Sequence, residues 1–379
     1  MWLKRFIWLG IAIALAFGAW GISTRLTNGH ADANYGSYVV WGLWVAMYLF
    51  FVGIAAGSFM LATLDLLFHV PLFRGMGRLA LFLALITLGA GLVHIWLDLG
   101  HLDRIWKVYL QGNLFSVMGQ IVWGYTIFGL LTAFALLLTL ARFKTPTWLL
   151  RVVMVVGLGL SLFLSGAVGA LLGVQVARPF WHVGLFPVQF PIFSLGSAMA
   201  LLLAVWAFFG PRNDPRFKQQ IWILALGVVI LQLVKTYFVW ADFSQSVYGG
   251  VPMSVRAVEE VLFGQYWWAF WLLQIGLGTV IPIILLLTPQ LRVRYSLAGA
   301  AGILVLIGFG VARANIVFPA LTIPEIDALA NAFSDPRLQF SYFPSWMEWA
   351  VTLGVIGATT AVFFIAYDYL AFLKLKEAN

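Results

Sequence analysis

The 379-residue chain is 63% hydrophobic and 9% charged, with 18 tryptophans, 32 phenylalanines and no cysteine. A soluble domain carries about 25% charged residues, so a water-soluble globular core is excluded. The missing cysteines exclude thiolate-bound Fe–S clusters, c-type haem attachment, Cys-zinc sites and disulfides within this chain, and the net charge of +8 belongs to membrane-flanking loops rather than to a nucleic-acid surface.

A membrane-crossing helix needs about 20 mainly apolar residues. Ten segments qualify: 6–24, 39–68, 77–99, 116–141, 149–173, 189–210, 219–241, 262–288, 295–318 and 345–373. The first follows Met1-Trp2-Leu3-Lys4-Arg5 and runs apolar to about Gly21, longer than a signal-peptide core of about 7–15 residues, so it reads as a retained helix. The breaks between segments carry Gly, Pro, Asn, Asp and charges, as connections do. No segment alternates like a strand, and lipid demands internally satisfied backbones. The expected fold is an all-α polytopic membrane protein.

Lys and Arg set the expected orientation. Lys4, Arg5, Arg74, Arg78, Arg142, Lys144, Arg151, Arg212, Arg216, Lys218, Arg292, Arg294, Lys374 and Lys376 fall on one side. Arg25, Arg104, Lys107, Arg178, Arg256 and Arg337 fall on the other, with Lys235 and Arg313 inside helices. The richer side is cytoplasmic by the positive-inside rule, so both termini are expected in the cytoplasm and the chain in the inner (cytoplasmic) membrane. The outer connections 174–188, 242–261 and 319–344 are longer and rich in Trp, Tyr, Phe and acids, which suggests a docking partner there; ordinary loop variation is the plainer alternative.

Helices two to five and six to nine read as two copies of one unit. Gly57-Ser58-Phe59-Met60 matches Gly196-Ser197-Ala198-Met199, and Asp98 at one helix end matches Asp242 at another. Gly119-Gln120-x-x-Trp123 matches Gly264-Gln265-x-x-Trp268, and Val176-Ala177-Arg178 matches Val311-Ala312-Arg313. Four helices per copy make a parallel repeat. The expected organisation is residues 1–38 (first helix and outer loop), 39–188 (first four-helix bundle), 189–344 (second bundle and outer loop) and 345–379 (last helix and tail). Gly53-x-x-x-Gly57 would allow close packing in the first bundle.

The chemistry-bearing residues gather from Val93 to Tyr109, where ionisable groups interrupt apolar sequence. His94 and Asp98 share a helix face at i, i+4. Asp98 is expected at the outer interface, His94 about 6 Å deeper, and Tyr48 about 14 Å in from a helix start near Val39. Arg178 and His182 come from an outer loop on the same side. Proton acceptors among apolar walls with access from the bilayer suit a quinol head. The plainer readings are a polar pair capping a helix end (His94, Asp98), a packing aromatic (Tyr48) and a loop anchor (Arg178). His101, Asp103, Arg104 and Lys107 read as an interfacial amphipathic turn, and His30 and His69 as loop residues. A second set, Asp65, Lys235, Asp242 and Arg313, reads either as inter-helix charge pairs, with Lys235 or Arg313 on Asp242, or as a proton path. Only His94 lies clearly within a helix, which argues against haem, so the chain has no evident redox centre. Electrons would pass between a bound organic molecule and a partner subunit.

The runs W-G-L-W-V-A-M-Y-L-F-F-V-G-I-A-A-G-S-F (41–59), D-L-G-H-L-D-R-I-W after helix three and A-R-P-F-W-H-V-G-L-F-P-V-Q-F-P-I-F-S-L-G-S-A (177–198) resemble the NrfD/PsrC family. The likeness covers helices two to nine, and the ten-helix layout is similar to the longer members in hydrogenase-2-type and Dsr-type complexes. It implies a cofactor-free subunit that reacts with menaquinone or ubiquinone in its first bundle near the outer face. It further implies an extracytoplasmic ferredoxin-like subunit with [4Fe–4S] clusters and a catalytic subunit, often molybdopterin-dependent. The family's quinone contact maps near Tyr48, where some members have His. A tyrosine that other members carry about eleven residues before R-P-F-W is replaced here by Ser165-Gly166-Ala167. The rival classes are a secondary transporter built from parallel repeats and a purely structural membrane anchor.

Overall fold

The computed structural model describes residues 2–140, 146–335 and 337–369. Arg142, Lys144, Lys374 and Lys376 of the charge count, with the tail from 370 to 379, lie outside the described residues. The described residues contain ten helices long and apolar enough to cross a membrane. They are α1 (Trp2–Asn28), α2 (Leu43–Leu66), α3 (Gly77–Asp98), α4 (Val117–Leu138) and α5 (Thr147–Gly173). The remainder are α6 (Phe186–Phe209), α7 (Phe217–Tyr248), α8 (Ala269–Leu287), α9 (Tyr295–Thr322) and α10 (Trp346–Tyr369). The chain is a multi-pass integral membrane protein.

Several boundaries differ from the hydropathy reading, and each moves a functional residue. α2 starts at Leu43, which sets Tyr48 about 7.5 Å into the helix rather than 14 Å. α7 continues to Tyr248, so Asp242 lies about 9 Å inside the helix end on the face opposite the N-terminus, the expected outer face, instead of terminating it. Ser244, Gln245 and Ser246 are polar enough to end an apolar run but do not break a helix; the break comes where Gly250 takes φ +67° ahead of Pro252. α9 likewise runs to Thr322, leaving Arg313 about 14 Å from its outer end.

α2 is buried on nearly every side, whereas α1 turns most of its surface outward. α2 packs against α3, α5, α6 and α9, and α6 against α5, α7 and α9, so α2 and α6 run together through the centre. The Gly53-x-x-x-Gly57 stripe serves this crossing rather than the interior of α2–α5. A Cβ on Gly57 would overlap the carbonyl oxygen of Ser194 in α6, and one on Gly53 would sit 3.2 Å from Ser194 Oγ. α1 and α10 pair at the periphery, where a Cβ on Gly18 would collide with the backbone of Gly354. Their shared flank rests on α3 through α10.

Candidate functional site

The outer ends of α1, α3 and α10 converge with the loop after α1 on a buried polar cluster. Arg25, in the last turn of α1, is only 3% exposed. Its Nε donates to the Leu97 carbonyl at 2.8 Å and its Nη2 to that of Leu99 at 2.5 Å. These are C-terminal carbonyls of α3 that no further turn would satisfy. Arg25 is therefore a clamp between helices, not the free loop charge counted for topology. On the next segment His30, Tyr35 and Trp44 form an aromatic group with ring centroids 5.4–6.2 Å apart. Tyr35 and Asp98 face each other closely enough for their side chains to interact, yet Tyr35 Oη and Asp98 Oδ1 are buried without a hydrogen bond in good geometry. Burial first, then the Asp98 charge, raises the Tyr35 hydroxyl above the usual tyrosine range, so it stays a proton-bearing donor. Burial, then the nearby Arg25 and Arg337 cations, lowers His30 to about 4.

His94 lies one turn below Asp98, fully buried, with its ring against Phe51 of α2 at 5.4 Å. Its Nδ1 is 2.8 Å from the Ala90 carbonyl, an acceptor, so Nδ1 carries the proton in the neutral ring. Nε2 is then a bare acceptor, and it too is buried without a partner. His94 and Asp98 do not bond each other.

Glu348 of α10 joins the same end of the molecule. Its carboxylate accepts from Tyr342 Oη, from the Asn34 amide at 3.1 Å, from Leu43 N at 3.3 Å and from Ser345 N at 2.9 Å. It thus ties the first outer loop and the start of α2 to the last outer loop. Arg25, His30, Tyr35 and Glu348 were not among the sequence candidates. Glu348 did leave a signal, an acid within an apolar segment.

The other expected residues make contacts of their own. Tyr48 meets Tyr125 edge-on at 6.3 Å. Arg178 pairs with Glu325 at 3.1 Å and donates to the Ile323 carbonyl at 3.1 Å, holding two outer loops together. His182 Nδ1 is 2.7 Å from the Gly173 carbonyl. Asp65 accepts from Gly75 N at 3.0 Å and Gly77 N at 2.8 Å, capping the start of α3. His101, Asp103 and Arg104 are exposed, Asp103 lying 3.8 Å from Arg104, beside a short helix Trp106–Leu110.

The expected ion pairs to Asp242 do not form among the described residues. Lys235 and Asp242 share a face of α7, but seven residues separate them by about 10 Å along the axis. Lys235 Nζ instead donates to Thr279 Oγ1 at 3.0 Å and lies over the Phe309 ring at 4.8 Å. Arg313 stacks its guanidinium on Phe190 at 3.9 Å, deep among aromatic rings. Asp242 borders a cavity of about 20 Å³ with Gln189, Gln274 and Asn315, room for about one water. Beside it, Ala269–Val280 of α8 winds as a π-helix. Pro282 has no N–H to give the Gly278 carbonyl, and Gln232 Nε2 takes that oxygen from α7 at 2.5 Å. Asn315 Nδ2 donates to Gln274 Oε1 at 2.8 Å. Of the second set only Lys235 enters a hydrogen-bonded network, through Thr279 to Gln274 and Asn315, while Asp242 Oδ1 and Arg313 Nη1 are buried without a partner.

The polysulphide reductase NrfD family model matches residues 32–325. The chain belongs to the NrfD family. It is 30% identical to a subunit of the selenate reductase of Mesobacillus selenatarsenatis, over 100% of this chain and 96% of that protein. It is 24% identical to the Hdr-like menaquinol oxidoreductase integral membrane subunit of Archaeoglobus fulgidus, over 98% and 93% of the two chains. The menaquinone reductase integral membrane subunit of Nitratidesulfovibrio vulgaris is 23% identical, over 97% and 91%. The family match spans both central helices together with Tyr35, His94 and Asp98, while Arg25, His30 and Glu348 lie outside it.

Proposed function

We propose that this chain is the quinone-interacting integral membrane subunit of a respiratory oxidoreductase complex, with its quinone head site at the outer ends of α2 and α3. The observation that carries the reading is a pair of acceptors one helical turn apart: His94 Nε2, buried without a partner, and Asp98 Oδ1, beside the Tyr35 hydroxyl but without a hydrogen bond in good geometry. An unmade buried hydrogen bond costs about 1–3 kcal/mol, which a ligand with two hydroxyl donors recovers. The relatives named for menaquinol and menaquinone chemistry support menaquinone over ubiquinone.

Quinol oxidation removes two electrons and two protons from the head. His94 Nε2 and Asp98 accept the hydroxyl hydrogen bonds, and Tyr35 donates to an oxygen once it loses its proton. The protons leave to the nearby outer face and the electrons pass to a partner subunit; quinone reduction runs the same steps backwards. Tyr48, Arg178 and His182 would shape the site's surroundings, while Lys235, Asp242 and Arg313 with Asp65 belong to a proton route or to helix packing. The partner is an extracytoplasmic [4Fe–4S] ferredoxin-like subunit on the ledge from His101 to Tyr109, connected to a catalytic subunit of the molybdopterin type. The charge asymmetry supports the inner membrane with both termini cytoplasmic. The organisation into residues 1–38, 39–188, 189–344 and 345–379, with 39–188 holding the head site, accompanies this reading.

A transporter would break helices at matching positions in both halves. α8 has a π stretch and α6 and α9 interior prolines, Pro191 and Pro319, whereas α2, α3, α4 and α5 have no interior proline. That asymmetry disfavours transport. The test is purification of the intact complex, with extraction of bound quinone and redox spectroscopy. Co-purified quinone and Fe–S signals from a second subunit are expected. A lone, quinone-free chain that moves a solute in liposomes would contradict the proposal.

A further inference from the structure

A cavity of about 520 Å³ lies between α1, α3 and α10 rather than inside α2–α5. Its size falls within the range of about 300–1,000 Å³ usual for small-molecule sites. Its walls are apolar, including Leu15 of α1, Ala90 and Val93 of α3, and Val355 and Val362 of α10. Leu15, Val93 and Val362 are 37–48% exposed, so the rim opens sideways to the bilayer.

The cleft is continuous with the head site. Ala90 and Val355 pack with Phe51, which also stacks on the His94 ring. Along α3, Ala90, His94 and Asp98 follow at i, i+4 and i+8 on one face, so cleft floor gives way to hydrogen-bonding side chains within about 12 Å. A turn outward from cleft residue Ile22, Arg25 is committed to two α3 carbonyls. Beyond it lie the unpartnered Tyr35 Oη and Asp98 Oδ1. An amphiphile with a long hydrocarbon tail and an uncharged, hydrogen-bonding head matches this gradient. A phospholipid does not, because its phosphate would face the Asp98 and Glu348 carboxyl groups with the Arg25 guanidinium already engaged.

We propose that α1 and α10 complete the quinone site: the cleft they form with α3 holds the isoprenoid tail and delivers the head to His94, Asp98 and Tyr35 from that side of the membrane. This rests on the quinone reading above and extends it to helices outside the two repeats.

Gly89 provides the test, because it lines the cleft and a Cβ there meets nothing within 4 Å. Gly89→Phe therefore fills the tail space without displacing α3. Purified wild-type and variant complexes in liposomes are assayed with a long-tailed quinol and with a short-tailed analogue of the same head, Leu130→Phe on the lipid face of α4 serving as control. Losing tail contacts worth about one or two methylenes raises KM for the long-tailed quinol about five-fold or more, while the short-tailed analogue and the control stay within about two-fold. Equal responses to the two quinols, whether both normal or both impaired, would overturn the tail assignment. So would loss of a co-purified phospholipid from the variant with turnover unchanged. A wild-type complex inert toward both quinols overturns the quinone reading itself, a result distinct from failure of the tail alone.

Discussion

Tyr35, His30 and Asp98 meet at the outer interface under opposite demands. Asp98 must accept hydrogen bonds, Tyr35 must remain a donor, and His30 must stay uncharged beside Arg25. His30 gives this arrangement a pH signature. Its folded value, about 4, lies below the ordinary 6.5, so between those limits the unfolded chain binds a proton that the folded one refuses. Stability is complete above about pH 6.5 and declines as the pH falls toward about 4. Thermal unfolding in detergent at stepped pH should follow this course, and His30→Gln should flatten it across that window. An unchanged slope in the variant would remove His30 from the buried cluster. His94 and Asp98 are legible in the sequence because they interrupt an apolar run. Arg25 and His30 read there as loop residues, because nothing local records that α1 and α10 fold their outer ends over α3.

At the level of helices, two crossings depend on backbone rather than side-chain chemistry. Gly57→Ala drives a Cβ into the Ser194 carbonyl, so α2 and α6 must separate and the purified protein should lose thermal stability or fail to assemble. Gly159→Ala, where a Cβ meets nothing within 4 Å, is the matched control and should hold or gain about 0.5–1 kcal/mol. Equal behaviour of the two variants would refute the close crossing. Gln232→Ala in α7 strands the Gly278 carbonyl of α8 in the membrane interior, at about 1–3 kcal/mol. Pro282→Ala restores an N–H near that oxygen, so the double variant should recover much of the lost melting temperature. Absence of rescue would detach the π stretch from Pro282. Helix number and approximate position were legible from hydropathy, since lipid selects about 20 apolar residues directly. Helix ends were not, because Ser244 to Ser246 leave the apolar pattern without leaving the helix. The same overrun moved Asp242 inward, and the length of the α7 axis between it and Lys235 defeated the expected ion pair.

Across the whole molecule, α2 and α6 run through the centre, the hydrogen-bonded network of Lys235, Thr279, Gln274 and Asn315 lies on one side with the unpartnered Asp242 Oδ1, and His94 Nε2 and Asp98 Oδ1 lie on the other toward α1 and α10. NrfD-family membership was readable from three motif runs, whereas the contribution of the peripheral helices required their packing. One head site carries the proposed quinone chemistry, so Asp98→Asn in the intact complex tests it most directly. The substitution keeps the shape of the side chain and removes the carboxylate. Normal assembly is expected with at least about ten-fold slower quinol turnover, equivalent to about 1.4 kcal/mol in the activation barrier. Wild-type turnover in a fully assembled Asp98→Asn complex would contradict it.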